Sequence, residues 1–263
     1  MKLMDVYYEN IDGEKLDLLS DAFHVYEADW FTSEWGTSKD GYERTIKFDV
    51  FKTADHSFRE NMERLYKHFA VDAEAGQYGK LYVNGTYLYC NILKSEKENW
   101  HGYIYAEVKM KVYAPALEWI SEKTVDFHSF AGVVSTDLDH SWDYPHDYKA
   151  QTTGTVLLNI DHPAASDFEM VIFGPVANPT VLINGHPYSM NLSLSDGDFC
   201  TIDSRLHKIT WHKASGVQEN AFNSRGITYS VFELIPRGDV PVSWDGSFSF
   251  RLTLFLKRRE PAW

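Results

Sequence analysis

Cysteine is nearly missing from this sequence. Its 263 residues hold only Cys90 and Cys200, each inside a strand-like run and in different halves of the chain. That gives no support to a disulfide framework or a thiolate metal site and fits buried thiols in a reducing cytoplasm. Long apolar runs are missing too. No stretch approaches 18 uninterrupted apolar residues, and the opening MKLMDVYYENIDGEKL has no basic segment leading into an apolar one, so neither a membrane span nor a standard secretion signal is expected. Positive charge is in deficit: 25 Lys and Arg stand against 38 Asp and Glu, for a net charge of −13. The acidity is even, with 15 basic against 23 acidic residues up to Ala131 and 10 against 15 after it. Such a chain has no footprint for gripping a phosphate backbone.

The motifs of common chemistries are absent as well. There is no G-x-S-x-G nucleophile elbow, no G-x-x-x-x-G-K-[ST] phosphate loop and no G-x-G-x-x-G dinucleotide turn, which removes the usual support for acyl transfer, nucleotide hydrolysis and hydride transfer. His140 with His146, and His207 with His212, lack the spacing of a helical or knuckle metal site. Asp137, Asp139, Asp143 and Asp147 lack the loop glycine and closing Glu of a calcium hand. Among 38 acidic residues, no carboxylate pair can be singled out for glycoside hydrolysis, because the required separation is spatial. No catalytic, cofactor or metal residue is assigned.

What is present is aromatic and patterned. Apolar residues make up 44% of the chain, charged residues 24% and aromatics 15%, a mixture that buries real cores and favours strands. The length suggests two domains. One segment, DHSFRENMERLYKHFA at 55–70, has helical periodicity, with Phe58, Met62, Leu65, Tyr66 and Phe69 on one face expected to be core and Ser57 and Glu60 as a capping box. Around it, ERTIKFDVFK at 43–52 alternates, KLYVNGTYLYCNILK at 80–94 reads as a hairpin about Asn84-Gly85, and HGYIYAEVKMKVYAP alternates from Tyr103 to Tyr113. From 127 to 151 the periodicity lapses. Strand-like runs resume at Thr155 and follow at 168–174, 180–184, 199–203, 206–211, 228–234 and 248–257, the spacing of a β-sandwich or jelly roll. In IFGPVANPTVLINGHPY, residues 172–188, Gly174-Pro175 ends one strand, Asn178-Pro179 starts the next and Asn184-Gly185 reverses it. The expected division is 1–130, a linker at 131–150, and 151–263.

The succession DFEMVIFGPVANPTVLINGHPY, FCTIDSRLHKITW, NAFNSRG, SVFELIPRGDVPVSW and FSFRLTLFLKRREPAW resembles the second domain of distal tail proteins of long-tailed, non-contractile phages. DYPHDY at 143–148 resembles the linker of some members, and GTSKDGYERTIKFDVFK followed by a helix and a hairpin is similar to their first domain. The resemblance covers essentially the whole chain. It implies a mainly β fold: an N-terminal sandwich-like ring domain with one helix and an extended hairpin, and a C-terminal galectin-like sandwich. It further implies a hexameric ring of copies, made in the bacterial host cytoplasm and placed at the virion tail tip. That ring would join the major tail-tube protein to the tip hub or tail-associated lysin, around a channel crossed by the tape-measure protein and by DNA that is not specifically bound. A receptor-binding protein is a further partner, and prophage-derived tail-like particles would use the same part. No cofactor and no membrane contact are implied.

Interface candidates follow from residue type. Trp30, Phe31 and Trp35 crowd the segment ADWFTSEWGTSKDGY, read either as a loop folded on its own domain or as a contact for a neighbouring subunit; Trp100, Tyr103 and Tyr105 are a second set. Two other readings stay open. One is a carbohydrate-binding module for host cell-wall attachment, using Trp211 and Trp244 as stacking faces with Arg205, His207, Asn220 and Arg225 as hydrogen-bond donors. The other is a wall-degrading hydrolase. The ordered set of true galectins is missing, and there is no room for the long insertions some relatives carry.

Overall fold

The computed structural model describes residues 4–27, 30–31, 35–129 and 155–263. It is mainly β, with one α-helix among the described residues. Two compact units divide it: Met1–Ser121 with Lys257–Trp263, and Glu122–Leu256. This corrects the expected boundary near residue 130, because Val125 and Phe127 pack in the second core. It also assigns the last residues of the chain to the first unit. The expected linker at 131–150 lies outside the described residues.

In the first unit, β1 (Val6–Glu9), β2 (Lys15–Asp17), β3 (Phe23–Glu27), β4 (Gly36–Ser38) and β5 (Gly41–Phe51) precede α1 (Phe58–Ala75), and β6 (Gly79–Val83), β7 (Thr86–His101) and β8 (Tyr105–Ala114) follow, while β9 (Trp119–Phe127) starts in this unit and has its residues from Glu122 onward in the second. All pairings are antiparallel. β2–β1–β6 continues into the first part of β7, from Thr86 to Cys90. The rest of β7 pairs with β8, and β8 with β5, which carries β3 and β4. Alternation puts Ile46, Phe48 and Val50 of β5 into the same core as Val108, Met110 and Val112 of β8, as a half-buried strand requires. The Asn84-Gly85 turn has both residues at positive φ, 47° and 76°, the backbone of the tight hairpin that the dipeptide favours.

Helix α1 forms where expected. The Ser57 hydroxyl accepts from the Glu60 amide, and the Glu60 carboxylate accepts from the Ser57 amide at 2.7 Å. Of the expected face, Phe58, Leu65 and Phe69 are buried and Met62 packs against the same core, but Tyr66 does not join them. Tyr66 is 68% exposed, whereas Asn61, His68 and Asp72 are buried with Phe58, Leu65 and Phe69. The polar residues face inward because each meets a partner. Asn61 Nδ2 donates to the Phe51 carbonyl at 2.8 Å, His68 Nε2 lies 3.2 Å from the Tyr8 carbonyl, and the Asp72 carboxylate accepts from the Tyr8 hydroxyl at 2.5 Å and the Ile11 amide at 2.8 Å.

The second unit is a β-sandwich. β10 (Thr155–Ile160), β11 (Asp167–Phe173), β12 (Val176–Ala177), β13 (Thr180–Ile183), β14 (His186–Ser189), β15 (Ser193–Leu194), β16 (Phe199–Asp203), β17 (Lys208–His212), β18 (Gln218–Asn220), β19 (Gly238–Ser243) and β20 (Phe250–Arg258) succeed one another, the last two residues of β20 being counted in the first unit. One sheet runs β18–β17–β16–β11–β20 and the other β10–β19–β13–β14. Phe168, Met170 and Ile172 of β11 and Leu252 and Leu254 of β20 share a core with Val181, Ile183, Val240 and Val242. The expected strand at 228–234 does not form. That stretch is irregular, with Tyr229 and Leu234 exposed, and β19 takes the place in the sheet instead. In the 172–188 segment the turns fall as expected, with Asn178 and Asn184 at φ 50°. Gly174 is required there, since a Cβ would collide with the Ser195 carbonyl.

Both thiols are buried, and burial pushes the Cys200 thiol up to about 12 and raises that of Cys90 in the same direction. An unfolded thiol ionises near pH 8.5, so above that pH the folded state holds more protons than the unfolded one and stability falls. The unfolding free energy from urea titration is expected to drop from about pH 8.5 upward, by about 1.4 kcal/mol per pH unit for each such thiol. Cys200→Ala should flatten the slope by that amount; an unchanged slope would contradict the burial of this side chain.

Candidate assembly surface

The β7–β8 hairpin ends in an apolar tip. Trp100 is 61% exposed, Tyr103 82% and Ile104 67%. The strand register shifts between Glu98 and His101, and Asn99 and Gly102 adopt positive φ, 44° and 61°, which turns Trp100 out of the ladder. The tip is tied down despite its exposure. The Trp100 indole N–H donates to the Gly102 carbonyl, Asn99 Nδ2 to Glu107 at 2.7 Å, and the Lys52 amide to the Ile104 carbonyl at 2.8 Å. The Tyr105 hydroxyl donates to Asp49 at 2.8 Å, and that bond holds its pKa up to about 12. The Trp100 ring also rests 5.9 Å from that of Phe58, at the start of α1. Large apolar side chains exposed on an already ordered turn lose little conformational freedom when a partner covers them. Such residues dominate the energetics of protein interfaces.

The six interface candidates separate in the structure. Trp100 and Tyr103 are exposed at this tip, while Tyr105 is half-buried with its hydroxyl engaged. Trp30 is 4% exposed and belongs to the first core, so its side chain is not offered to a neighbour and that candidate is corrected. Phe31 and Trp35 are half-buried against the same core. Phe31 stacks on Trp263 at 4.2 Å, and the Arg44 guanidinium lies 5.9 Å from the Trp35 ring. The loop expected there contains β4, which pairs with β5 through Gly36, Thr37 and Ser38. Ile104 and Trp263, 84% exposed, were not singled out by sequence. Ile104 sits beside Gly102 in a run that reads as strand, and only the early turn reveals it.

In the second unit the sugar-contact candidates are already occupied. Trp244 is 9% exposed, packs edge-on against Phe127 and Phe250, and donates to the Phe248 carbonyl at 3.0 Å; as a stacking face it is corrected to core. Trp211 donates to Asp198 at 3.3 Å, with the Lys213 ammonium 4.5 Å from its ring centre. Arg205 is paired with Asp203 at 2.8 Å and lies over Phe255 at 3.4 Å. Arg225 donates to the Phe222 carbonyl at 2.7 Å, and Asn220 accepts from the Phe222 amide at 2.9 Å. Because Thr210 opposes Asn220 and Trp211 opposes Glu219, Trp211 and Asn220 project from opposite faces. His207 sits at a turn with φ 48°, its ring 5.1 Å from Phe232.

Among the described residues no group of three or more His, Cys, Asp or Glu is placed to hold a metal ion. His140, His146 and the Asp137–Asp147 stretch lie outside those residues. No described helix is long and apolar enough to cross a membrane.

No known family profile and no curated protein matches the sequence. Solved structures do match the fold. The crystal structure of the SPP1 Dit (gp 19.1) protein, described as a hub of the adsorption apparatus in phages infecting Gram-positive bacteria, covers 98% of this chain and 100% of its own at 13% identity, with a TM-score of 0.56. Chains of the phage p2 baseplate in its activated conformation align at 11% identity over 98% of this chain and 99% of theirs. Their TM-scores are 0.61 with Ca and 0.63 with Sr. The chain has the mainly β fold of these distal tail and baseplate proteins.

Proposed function

We propose that this chain is a structural distal tail protein of a long, non-contractile phage or prophage tail. It forms a hexameric ring that connects the tail tube to the tip hub, around a channel for tape-measure protein and DNA. The observation that carries the reading is the ordered apolar hairpin tip, Trp100, Tyr103 and Ile104, on a fold shared end to end with adsorption-hub and baseplate chains. A closed ring joins one face of each subunit to a different face of the next, and a rigid apolar projection is suited to be one of those faces. The work is geometric and no turnover is involved. The net charge of −13 helps a polyanion pass without sticking, since like charge does not retain it. The carbohydrate-binding reading is weaker, because its donors and stacking faces are engaged within the second unit.

The placement is tested by gold-labelled antibody against the chain on particles from the lysogen or lysate that produces it. Label confined to the distal end of the tail supports the reading. Label along the whole tube, or none on intact and opened particles, contradicts it.

A further inference from the structure

Lys257, Arg258 and Arg259 are the only place in the chain where Lys or Arg residues are adjacent. They lie at the end of β20 and line an open cleft of about 640 Å³, completed by Tyr42 of β5 and the Pro115–Leu117 turn that follows β8. All of these residues belong to the first unit. Glu118 also lines the cleft, and its carboxylate lies 3.1 Å from the Lys257 ammonium. Arg258 and Arg259 are exposed and have no ion-pair partner among the described residues. A chain with an excess of 13 acidic residues thus gathers two open guanidinium groups beside a tyrosine and an apolar turn.

We propose that this cleft binds a carboxylate-bearing peptide segment of another protein chain. Guanidinium forks match carboxylates in a bidentate geometry that an ammonium cannot reproduce. Tyr42, Pro115 and Leu117 offer surface for the apolar stems of the same segment. A nucleic acid is disfavoured, because its binding rests on many phosphate contacts. Two open cations in a field of net negative charge do not supply them. The inference rests on the cleft alone, so its failure leaves the tail reading standing.

The test uses the full chain, a fluorescein-labelled octaglutamate peptide and fluorescence anisotropy, with oligothymidylate of equal length as competitor. Saturable binding is expected that weakens with added salt. The double variant Arg258→Ala/Arg259→Ala should bind roughly ten-fold or more weakly. Its melting temperature should not change, since both side chains are exposed. Equal affinity in the two proteins, no binding to the unmodified chain, or displacement by oligothymidylate at lower concentration than by unlabelled peptide would each overturn the proposal.

Discussion

Tyr103→Ser combined with Ile104→Ser is expected to leave a folded protein that no longer assembles. Both side chains are more than two-thirds exposed, and neither belongs to a core cluster, so stability should stay within about 0.5 kcal/mol of the unsubstituted chain. Assembly should suffer far more. Apolar residues at the centre of an interface contribute about 2 kcal/mol or more each, so losing two of them moves a self-association constant by roughly three orders of magnitude. Trp100 is left in place because its indole N–H closes the turn onto Gly102 and its ring rests on Phe58; replacing it would confuse folding with contact. Circular dichroism melting and sedimentation velocity on the same samples separate the two effects. Normal melting with unaltered assembly would remove the hairpin tip from the interface.

Asp72→Ala should be among the most destabilising single changes in the first unit. The carboxylate is 1% exposed and accepts from the Tyr8 hydroxyl and the Ile11 amide, tying α1 to β1 and the turn after it. Hydrogen bonds to a charged acceptor are worth about 1.5–3 kcal/mol each, so a loss of about 3–5 kcal/mol is expected from denaturant titration. Tyr8→Phe should lose less, since the Ile11 bond survives. Burial, with Cys90 and Asp72 nearby, raises the Tyr8 hydroxyl far above its ordinary range, so this donor stays protonated at any working pH. Gly79 has no room for a side chain beside the same pair, because a Cβ would meet both the Tyr8 hydroxyl and the Asp72 carboxylate. A loss below about 1 kcal/mol for Asp72→Ala would show that the contact is not made.

Local chemistry was the most legible part of the sequence. The Asn84-Gly85 reversal, the Ser57–Glu60 box and the alternation of β11 each express a single backbone preference, and each appears as read. What escaped was tertiary. Tyr66 fits the helical period yet is exposed, and the buried face of α1 extends instead to Asn61, His68 and Asp72, whose partners Phe51 and Tyr8 lie outside the helix. β19 was hidden by Pro241. The residue is tolerated because its carbonyl accepts from the Asn184 amide, beyond the end of β13, so its missing N–H falls where the neighbouring ladder has already turned away. Conversely, Val231 is buried outside any strand and Ile235, just past the run, makes only an isolated bridge to Ser166, so an apolar run at 228–234 mimicked a strand.

The assembly candidates were legible only as residue types. Composition marks Trp30 and Trp100 alike as large aromatics beside turns, but one is 4% and the other 61% exposed. The difference comes from the core around Trp30 and the register shift beside Trp100. Ile104 escaped for a related reason: alternation from Tyr103 assumed the strand had already begun, whereas it begins at Tyr105.

Self-association is the property on which the account stands, and class-averaged negative-stain imaging of the purified chain, alone and mixed with its tube and hub neighbours, measures it most directly. The account predicts closed rings of sixfold symmetry with an open bore, lost in the Tyr103→Ser/Ile104→Ser protein. Isolated particles of single-chain size in every mixture, or rings that survive that double substitution unchanged, would contradict it.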